Sequence, residues 1–461
     1  MKKIKVGLLP LYIELYDQVS QHMRPGIEKF YAEIAAELEK RDLDVIQNPV
    51  CRLKNEFQAA VDAFEKGGAE AIVTLHLAYS PSLESIDALA GTKLPVIVCD
   101  TTPDYLFDCT IDSGAISYNH GIHGVQDMCN MLLRRKKAFQ IFAGHYQEDP
   151  VLDQVAAAAK LAAAARSVKG MKLGLVGGQF YGMGDFTVSD EDMMKVFGAE
   201  VIRYDNDVKR LEAITQAQLD AEYEKDSAMC CYCQVPREEY DKTERLALAI
   251  KGWMEEKDIS GFSMNFLTAG DEPGWPTMPF SWACKAMAQG YGYAGEGDTL
   301  TAMLVAALLK AFPETTFAEM FCPDWKNNHV YFSHMGEFNL KCAKDTLRAQ
   351  VMPFRFAAGF DPVSIRGEMK PGKVCLVNLS PTAEGFRIVA AEGDILEIPD
   401  DLPNFHDEVS AWFDPHMKLT QFLAGYSRLG GTHHSALVYG ATAELIEGFA
   451  KELGVEFCEV K

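Results

Sequence analysis

The 461-residue chain is short of positive charge: 44 Lys and Arg stand against 66 Asp and Glu, a formal net charge of −22. A surface of that sign repels phosphate backbones, which argues against nucleic acid and anionic membranes as partners and leaves open a small substrate in a locally basic pocket. Long apolar runs are also missing. The nearest to one, "VAAAAKLAAAARSV" (Val155–Val168), is Ala-rich and interrupted by Lys160, which suits a buried helix and not a membrane span. The N-terminal "MKKIKVGLLPLY" passes into "IELYDQVSQHMRPG" without a small-residue cleavage site, so no signal peptide and a cytoplasmic location are expected. Phosphate-cradling motifs are absent as well. The glycine-rich turn in "LGLVGGQFYGMGD" follows a strand-like run but contains neither G-x-G-x-x-G nor G-K-[ST]. It reads as a turn lining a cleft, with Met183 pointing inward. The 12 cysteines have no framework spacing, which predicts reduced thiols. Only "CCYC" (Cys230, Cys231, Cys233) clusters, and it lacks C-x-x-C spacing and a second ligand pair; buried strand residues are the better reading.

What the chain does contain is α/β alternation. Short apolar runs, "IKVGLLPL", "LDVIQNPV", "AEAIVTLHL", "LPVIVCD" and "KAFQIFAG", are separated by amphipathic stretches such as "RPGIEKFYAEIAAELEKR" and "EFQAAVDAFEKGG". That alternation predicts a parallel sheet with helices on both faces and a ligand crevice beyond the carboxyl ends of its strands. A second such unit begins after "RSVKGMKLGLVGG", and from about Cys322 short strands and turns predominate, ending in a helix and a strand. The expected fold is α/β: two doubly wound parallel-sheet (Rossmann- or flavodoxin-like) domains, residues 1–169 and 170–321, followed by a mostly β domain, residues 322–461.

Four segments hold the strongest candidates for a metal site: "AGEGD" with Glu296, "FAEMF" with Glu319, "FSHMGE" with His334, and "GGTHHSALVYG" with His433 and His434. Two carboxylates and two imidazoles make a mixed oxygen and nitrogen shell suited to Mn²⁺, Co²⁺, Fe²⁺ or Mg²⁺, and acceptable to zinc. Each residue also has a plainer reading. Glu296 is placed to cap the helix that follows, Glu319 to lie on a frayed helix end, and His334 to be a satisfied strand histidine. The adjacent His433 and His434 are expected to point to different sides, one ligating and the other binding substrate or supporting it.

Taken in order, these segments resemble the L-arabinose isomerases and, more distantly, the L-fucose isomerases. The resemblance rests on "GYGYAGEGD", "F-x-E", "SHM" and "GG-x-HH", preceded by "H-x-x-YSP" near Tyr79, "NHGIHG", "GHYQED" and "GMGDFTVSDED", which together span nearly the whole chain. It implies an aldose–ketose isomerase that uses a divalent metal, usually Mn²⁺. Glu296, Glu319, His334 and His434 would hold the metal, and the two glutamates would move protons between C1 and C2 through a cis-enediol. Tyr79, His120, His123, Met183, Phe266 and His433 match positions that line the sugar site. A homotrimer or homohexamer with the active site at a subunit interface is implied too. The chain departs from the family at substrate positions. His120 replaces a Gln, Leu11 and Tyr12 stand where a polar Gln is expected, and "SHMGEFN" replaces "SHMLE". Intact metal positions with altered substrate positions point to the same reaction on a different or C6-modified aldose, with Arg428 a candidate for meeting an anionic tail. Alternatives from the residues alone are a non-catalytic sugar-binding protein and a metal-dependent aldolase or epimerase using the same enediolate chemistry.

Overall fold

Runs rich in Val, Ile and Leu become strands here because helices cover both of their faces, and the apolar stripes of those helices find their partners on the strands. The structure, a computed structural model, describes residues 3–230, 235–344, 347–399, 405 and 408–461. It divides into two compact units, residues 1–163 and 164–461. In the first unit β1 (Ile4–Leu11), β2 (Leu43–Gln47), β3 (Ala71–His76), β4 (Val96–Asp100) and β5 (Phe139–Ala143) form a parallel sheet in the order β2-β1-β3-β4-β5. All of β3, "AIVTLH", is buried, as a central strand packed on both faces must be. The helix Arg24–Lys40 turns Ile27, Phe30, Tyr31, Ile34 and Leu38 inward at three- and four-residue spacing. Phe64, from the helix Lys54–Lys66, lies so close over β1 that a Cβ on Gly7 would stand 2.3 Å from its ring.

The second unit contains two sheets. In the first, β6 (Lys172–Val176), β7 (Glu200–Arg203), β8 (Gly261–Met264) and β9 (Gly292–Gly295) run parallel in the order β7-β6-β8-β9. The other is built from β10 (Thr315–Asp324), β11 (His329–Ser333), β12 (Arg348–Val351), β13 (Val363–Glu368), β14 (Gly372–Thr382), β15 (Gly385–Ile395), β16 (Val409–Asp414), β17 (His434–Tyr439) and β18 (Glu456–Glu459). Its order is β12-β13-β16-β11-β10-β17-β14-β15-β18, largely antiparallel. Asp394 and Ile395 of β15 pair back onto Asp414 and Phe413 of β16, which closes six of these strands into a barrel around Phe332, Leu376, Val389, Phe413 and Leu437. Closure gives the barrel strands partners on both sides. The helix Thr299–Leu309, "TLTAMLVAALL", is buried along its whole length and packs against β8 and β9 of the parallel sheet and β10 and β17 of the barrel. A helix apolar all round is stable only when covered on every side.

The architecture is therefore the α/β one expected: two parallel sheets with helices, then a mostly-strand sheet. The cysteine cluster is described only in part: Cys230 is buried, and Cys231 and Cys233 lie outside the described residues. No helix among the described residues is long and apolar enough to cross a membrane.

Candidate active site

Glu296 leaves the carboxyl edge of β9 in a left-handed backbone conformation (φ 64°), rare for a residue with a side chain. Strain of that kind costs on the order of 1–3 kcal/mol and persists only where the surroundings hold it. Here Glu296 N–H donates to Met264 O (2.8 Å) and Phe180 N–H donates to Glu296 O (3.0 Å), so the glycine-rich turn after β6 clamps it. The flanking glycines have specific duties. A Cβ on Gly295 would come within 3.1 Å of the His334 ring, and one on Gly297 (φ 84°) within 2.5 Å of Gln179 Cα. The bare backbone thus admits the protein's own ring and loop, where the sequence alone suggests room for a ligand. Glu296 is not the helix cap. Asp298 is, with its Oδ1 accepting from Thr301 N–H (2.8 Å).

The other carboxylate and the two imidazoles come from neighbouring strands of the barrel. Glu319 lies within β10, not on a helix end, and pairs across with Ser333 of β11 on one side and His434 of β17 on the other. His334 follows Ser333 directly, so this register delivers Glu319, His334 and His434 to one place. His334 Nε2 stands 3.4 Å from Glu319 Oε2, and His434 Nε2 stands 3.4 Å from Glu296 Oε2. Phe317, two residues before Glu319, sets its ring edge-on to both imidazoles, with centroids at 4.8 and 5.0 Å. Phe186 stacks on the His434 ring at 4.8 Å and 12°.

His433 does not point away from its neighbour. It precedes β17, outside the side-to-side alternation of the strand, and its Nε2 lies 3.5 Å from the same Glu296 oxygen that His434 approaches. Asp185 holds it there, with Oδ2 accepting from His433 N–H (3.0 Å) and lying 2.6 Å from Nδ1.

The electrostatics follow from this crowding. Burial opposes charge on Glu296, yet the imidazoles of His433 and His434 hold its carboxyl down at about 2. Burial dominates at Glu319 and raises it, even against the pull of His334 and His434. At His434 burial works against the charged form, and Asp298 and Glu296 overcome it, pushing the ring up to about 9. His433 likewise rises to about 10 against burial, through Asp185 and Glu296. His334 is raised by Glu337 against burial.

One ligand atom from each of Glu296, His433 and His434 lies within 4.8 Å of the others, and the same holds for Glu319, His334 and His434. These donors fit a divalent cation. His434 Nε2 is buried and has no hydrogen-bond partner, while the Nδ1 of each candidate ligand imidazole faces a buried carboxylate, Asp298 or Glu337. Those two carboxylates, and Asp185, are the residues that motif reading misses. Asp298 and Glu337 are visible inside "AGEGD" and "SHMGE", but nothing in a linear pattern says which imidazole a carboxylate will meet.

The remaining candidates fall in two places. Phe266 follows β8 beside β9 and packs against Phe180 (5.6 Å), and Met183 is half-buried on the loop that carries Asp185. Tyr79, His120 and His123 gather in the first unit. His123 lies 6.5 Å from the Tyr79 ring and 5.6 Å from His120, and Tyr16 OH reaches His120 Nε2 at 2.8 Å. Arg428 ends the helix Leu419–Arg428 as an exposed residue.

Residues 183–312 match the L-arabinose isomerase central domain, and residues 314–456 match the L-arabinose isomerase C-terminal domain. Glu296 falls in the first match and Glu319, His334 and His434 in the second, so the chain is an enzyme of the aldose–ketose isomerase class. More particularly, it belongs to the L-arabinose isomerase-like proteins. The L-arabinose isomerase of Acidothermus cellulolyticus is 24% identical over 82% of this chain and 78% of its own length. That of Nocardioides sp. is 23% identical over 96% and 90%, and that of Herpetosiphon aurantiacus 24% over 97% and 91%.

Proposed function

We propose that the chain interconverts an aldose and its ketose at the Glu296–Glu319–His334–His434 centre, on a sugar other than L-arabinose. The observation that supports this most directly is the pair of overlapping donor clusters, Glu296–His433–His434 and Glu319–His334–His434, which meet at the buried His434 and draw on four separate segments. Those four residues would hold a divalent cation, Mn²⁺ by preference, with Co²⁺, Fe²⁺ or Mg²⁺ as substitutes. When bound, the cation supplies Lewis-acid polarisation of the sugar oxygens at C1 and C2.

The chain's own groups do the proton work. A carboxylate of the Glu296–Glu319 pair takes the proton from C2, the electron pair forms the C1–C2 double bond of a cis-enediol, and the carbonyl oxygen O1 is protonated. Return of a proton to C1, with loss of the O2 proton, yields the ketose. His433, fixed by Asp185 and facing Glu296, is placed to hydrogen-bond a sugar oxygen. Met183 and Phe266 would line the sugar with it. Tyr79, His120 and His123 would be brought by a neighbouring subunit of a homotrimer or homohexamer. The changes at Leu11, Tyr12 and His120 favour a different or C6-modified aldose.

The test is isomerisation by metal-stripped protein with Mn²⁺ restored, across a panel of aldoses that includes C6-modified ones, read as ketose by NMR. Ketose formation that disappears in Glu296→Gln and Glu319→Gln is the expected result. Ketose formed equally well by those variants would refute the site. Fragments or an epimer in place of a ketose would refute the reaction.

A further inference from the structure

The two candidate ligand imidazoles belong to the barrel, but Asp298, which meets His434, caps the helix after β9, and Glu337, which meets His334 from the same segment, is held by Tyr293 of β9. Asp298 is fully buried. Its Oδ1 accepts from Thr301 N–H at 2.8 Å and its Oδ2 lies 3.0 Å from His434 Nδ1. Tyr293, also fully buried on β9, donates its hydroxyl to Glu337 Oε1 at 2.8 Å, and Glu337 Oε2 lies 2.5 Å from His334 Nδ1. An ionised carboxylate only accepts hydrogen bonds, so each favours a hydrogen on Nδ1, and in the neutral ring that a cation requires Nε2 is the atom left to face the centre.

We propose that Asp298 and the Tyr293–Glu337 pair are the positioning residues of this centre, fixing the Nδ1–H tautomer of His434 and His334 so that both Nε2 lone pairs are presented together. The inference rests on the metal-centre reading above. It makes the short segment Tyr293–Asp298 the template of the site: it contributes one carboxylate directly and keys both imidazoles. It also gives Asp298 two simultaneous duties, helix cap and tautomer lock, which the sequence shows only as one acidic residue after a glycine.

The two supports differ in a way that separates this idea from general packing. Asp298 accepts twice, from a backbone N–H and from a ring N–H, and the backbone donor cannot reverse. In Asp298→Asn one of the two donors meets an NH2 group. If the amide oxygen stays with Thr301 N–H, its NH2 donates to Nδ1 and drives the ring hydrogen onto Nε2, the atom a cation needs. Glu337 accepts from a hydroxyl, and a hydroxyl can turn to accept. In Glu337→Gln the amide oxygen can therefore keep the His334 Nδ1–H while its NH2 donates to the Tyr293 oxygen. Glu337→Met has no such acceptor.

Mn²⁺ binding to metal-stripped protein, followed through the electron paramagnetic resonance signal of the free ion, tests this without relying on activity. Thermal unfolding of the same metal-free samples checks folding. Asp298→Asn and Glu337→Met should each weaken Mn²⁺ affinity about 10–100-fold, while Glu337→Gln stays within about threefold of the unsubstituted protein. Unsubstituted affinity in Asp298→Asn, or Glu337→Gln falling as far as Glu337→Met, would overturn the proposal. If Asp298→Asn fails to fold, the Gln and Met pair at position 337 decides alone, and equal affinities refute it. Failure of the unsubstituted protein to bind Mn²⁺ would instead sink the metal-centre reading on which the proposal stands.

Discussion

Lys285 tests the packing behind the active site. It lies in the helix Phe280–Ala288, whose Cys284 Sγ–H donates to Gly336 O (3.0 Å), next to Glu337. Its buried ammonium stands 2.8 Å from Asp226 Oδ2, in the helix Gln216–Met229, and 2.8 Å from both oxygens of Glu244, in the helix Arg237–Lys257. Tyr240 OH donates to the same Asp226 oxygen (2.8 Å). One cation therefore joins three helices. Burial alone would favour neutral lysine, but Glu244 and Asp226 keep it charged and raise its pKa. Burial pushes Glu244 up to about 7, with Lys285 pulling it down and Asp226 adding to the rise. Lys285→Met keeps an unbranched, mostly apolar stem but removes the ammonium, and so strands two carboxylates in a dry interior, which should cost ~3–5 kcal/mol near neutral pH.

The pH dependence carries its own sign. A carboxyl raised in the folded state contributes stability that is present below its unfolded pKa and is lost as pH rises through the folded value, here from about 4.5 through about 7. Without Lys285 the Glu244 pKa climbs further, so the protonated form is adopted over a wider range. The deficit of Lys285→Met should therefore shrink in acid. Urea denaturation of both proteins near pH 8 and near pH 5 measures it. A deficit below ~1 kcal/mol near pH 8 would refute the reasoning, since surface charges are worth that little. A deficit that grows in acid would refute the sign.

Gly297→Ala forces a Cβ into a left-handed position 2.5 Å from Gln179 Cα, so a lower melting temperature and a stability loss of ~2 kcal/mol or more are expected, with isomerisation impaired through displacement of Glu296. Unchanged melting would show that the loop yields freely. Asp185→Ala frees His433 from its 2.6 Å partner, and an isomerisation assay should register a fall in kcat/KM of about 10–100-fold, as small misplacements at a reacting centre do. Mn²⁺ at about 100 times its Kd should stabilise the metal-stripped protein by ~2.7 kcal/mol in thermal unfolding, and Glu319→Gln should blunt that gain. An equal gain in the variant would place the ion elsewhere.

Some elements are legible in the sequence because their physics is local. The apolar runs of β1, β3 and β4 are continuous because they are covered on both faces, and Ile27, Phe30, Ile34 and Leu38 repeat at helical spacing because one side of their helix is buried. The residue types at the centre are legible for a chemical reason: carboxylate and imidazole are the side chains that suit a hard or borderline cation. Local reading fails where two distant segments have to meet. Glu319 reads as a helix end because a strand of the barrel and a frayed helix share the pattern "TTFAEMF", and only the pairing with Ser333 and His434 distinguishes them. Glu296 reads as a cap because a carboxylate among glycines at a helix start suits that role, and only the bond from Thr301 N–H gives the role to Asp298, two residues on. His433 and His434 would diverge if both were strand residues, but β17 begins only at His434.

By itself, then, the sequence determined the α/β alternation and the strand-rich C-terminal part, since each depends on composition and spacing over a few residues, while the candidate ligands, far apart in the chain, were singled out through the resemblance of the ordered segments to a family. Only the tertiary structure decided that β15 returns to β16 to close a barrel, that antiparallel register across β10 brings His334 and His434 to Glu319, and that Asp298, Glu337 and Asp185 each hold one imidazole. Those are pairings between residues as far as 248 positions apart in Asp185 and His433, and a hydrogen bond over such a separation is set by how packed sheets align, which no local pattern encodes.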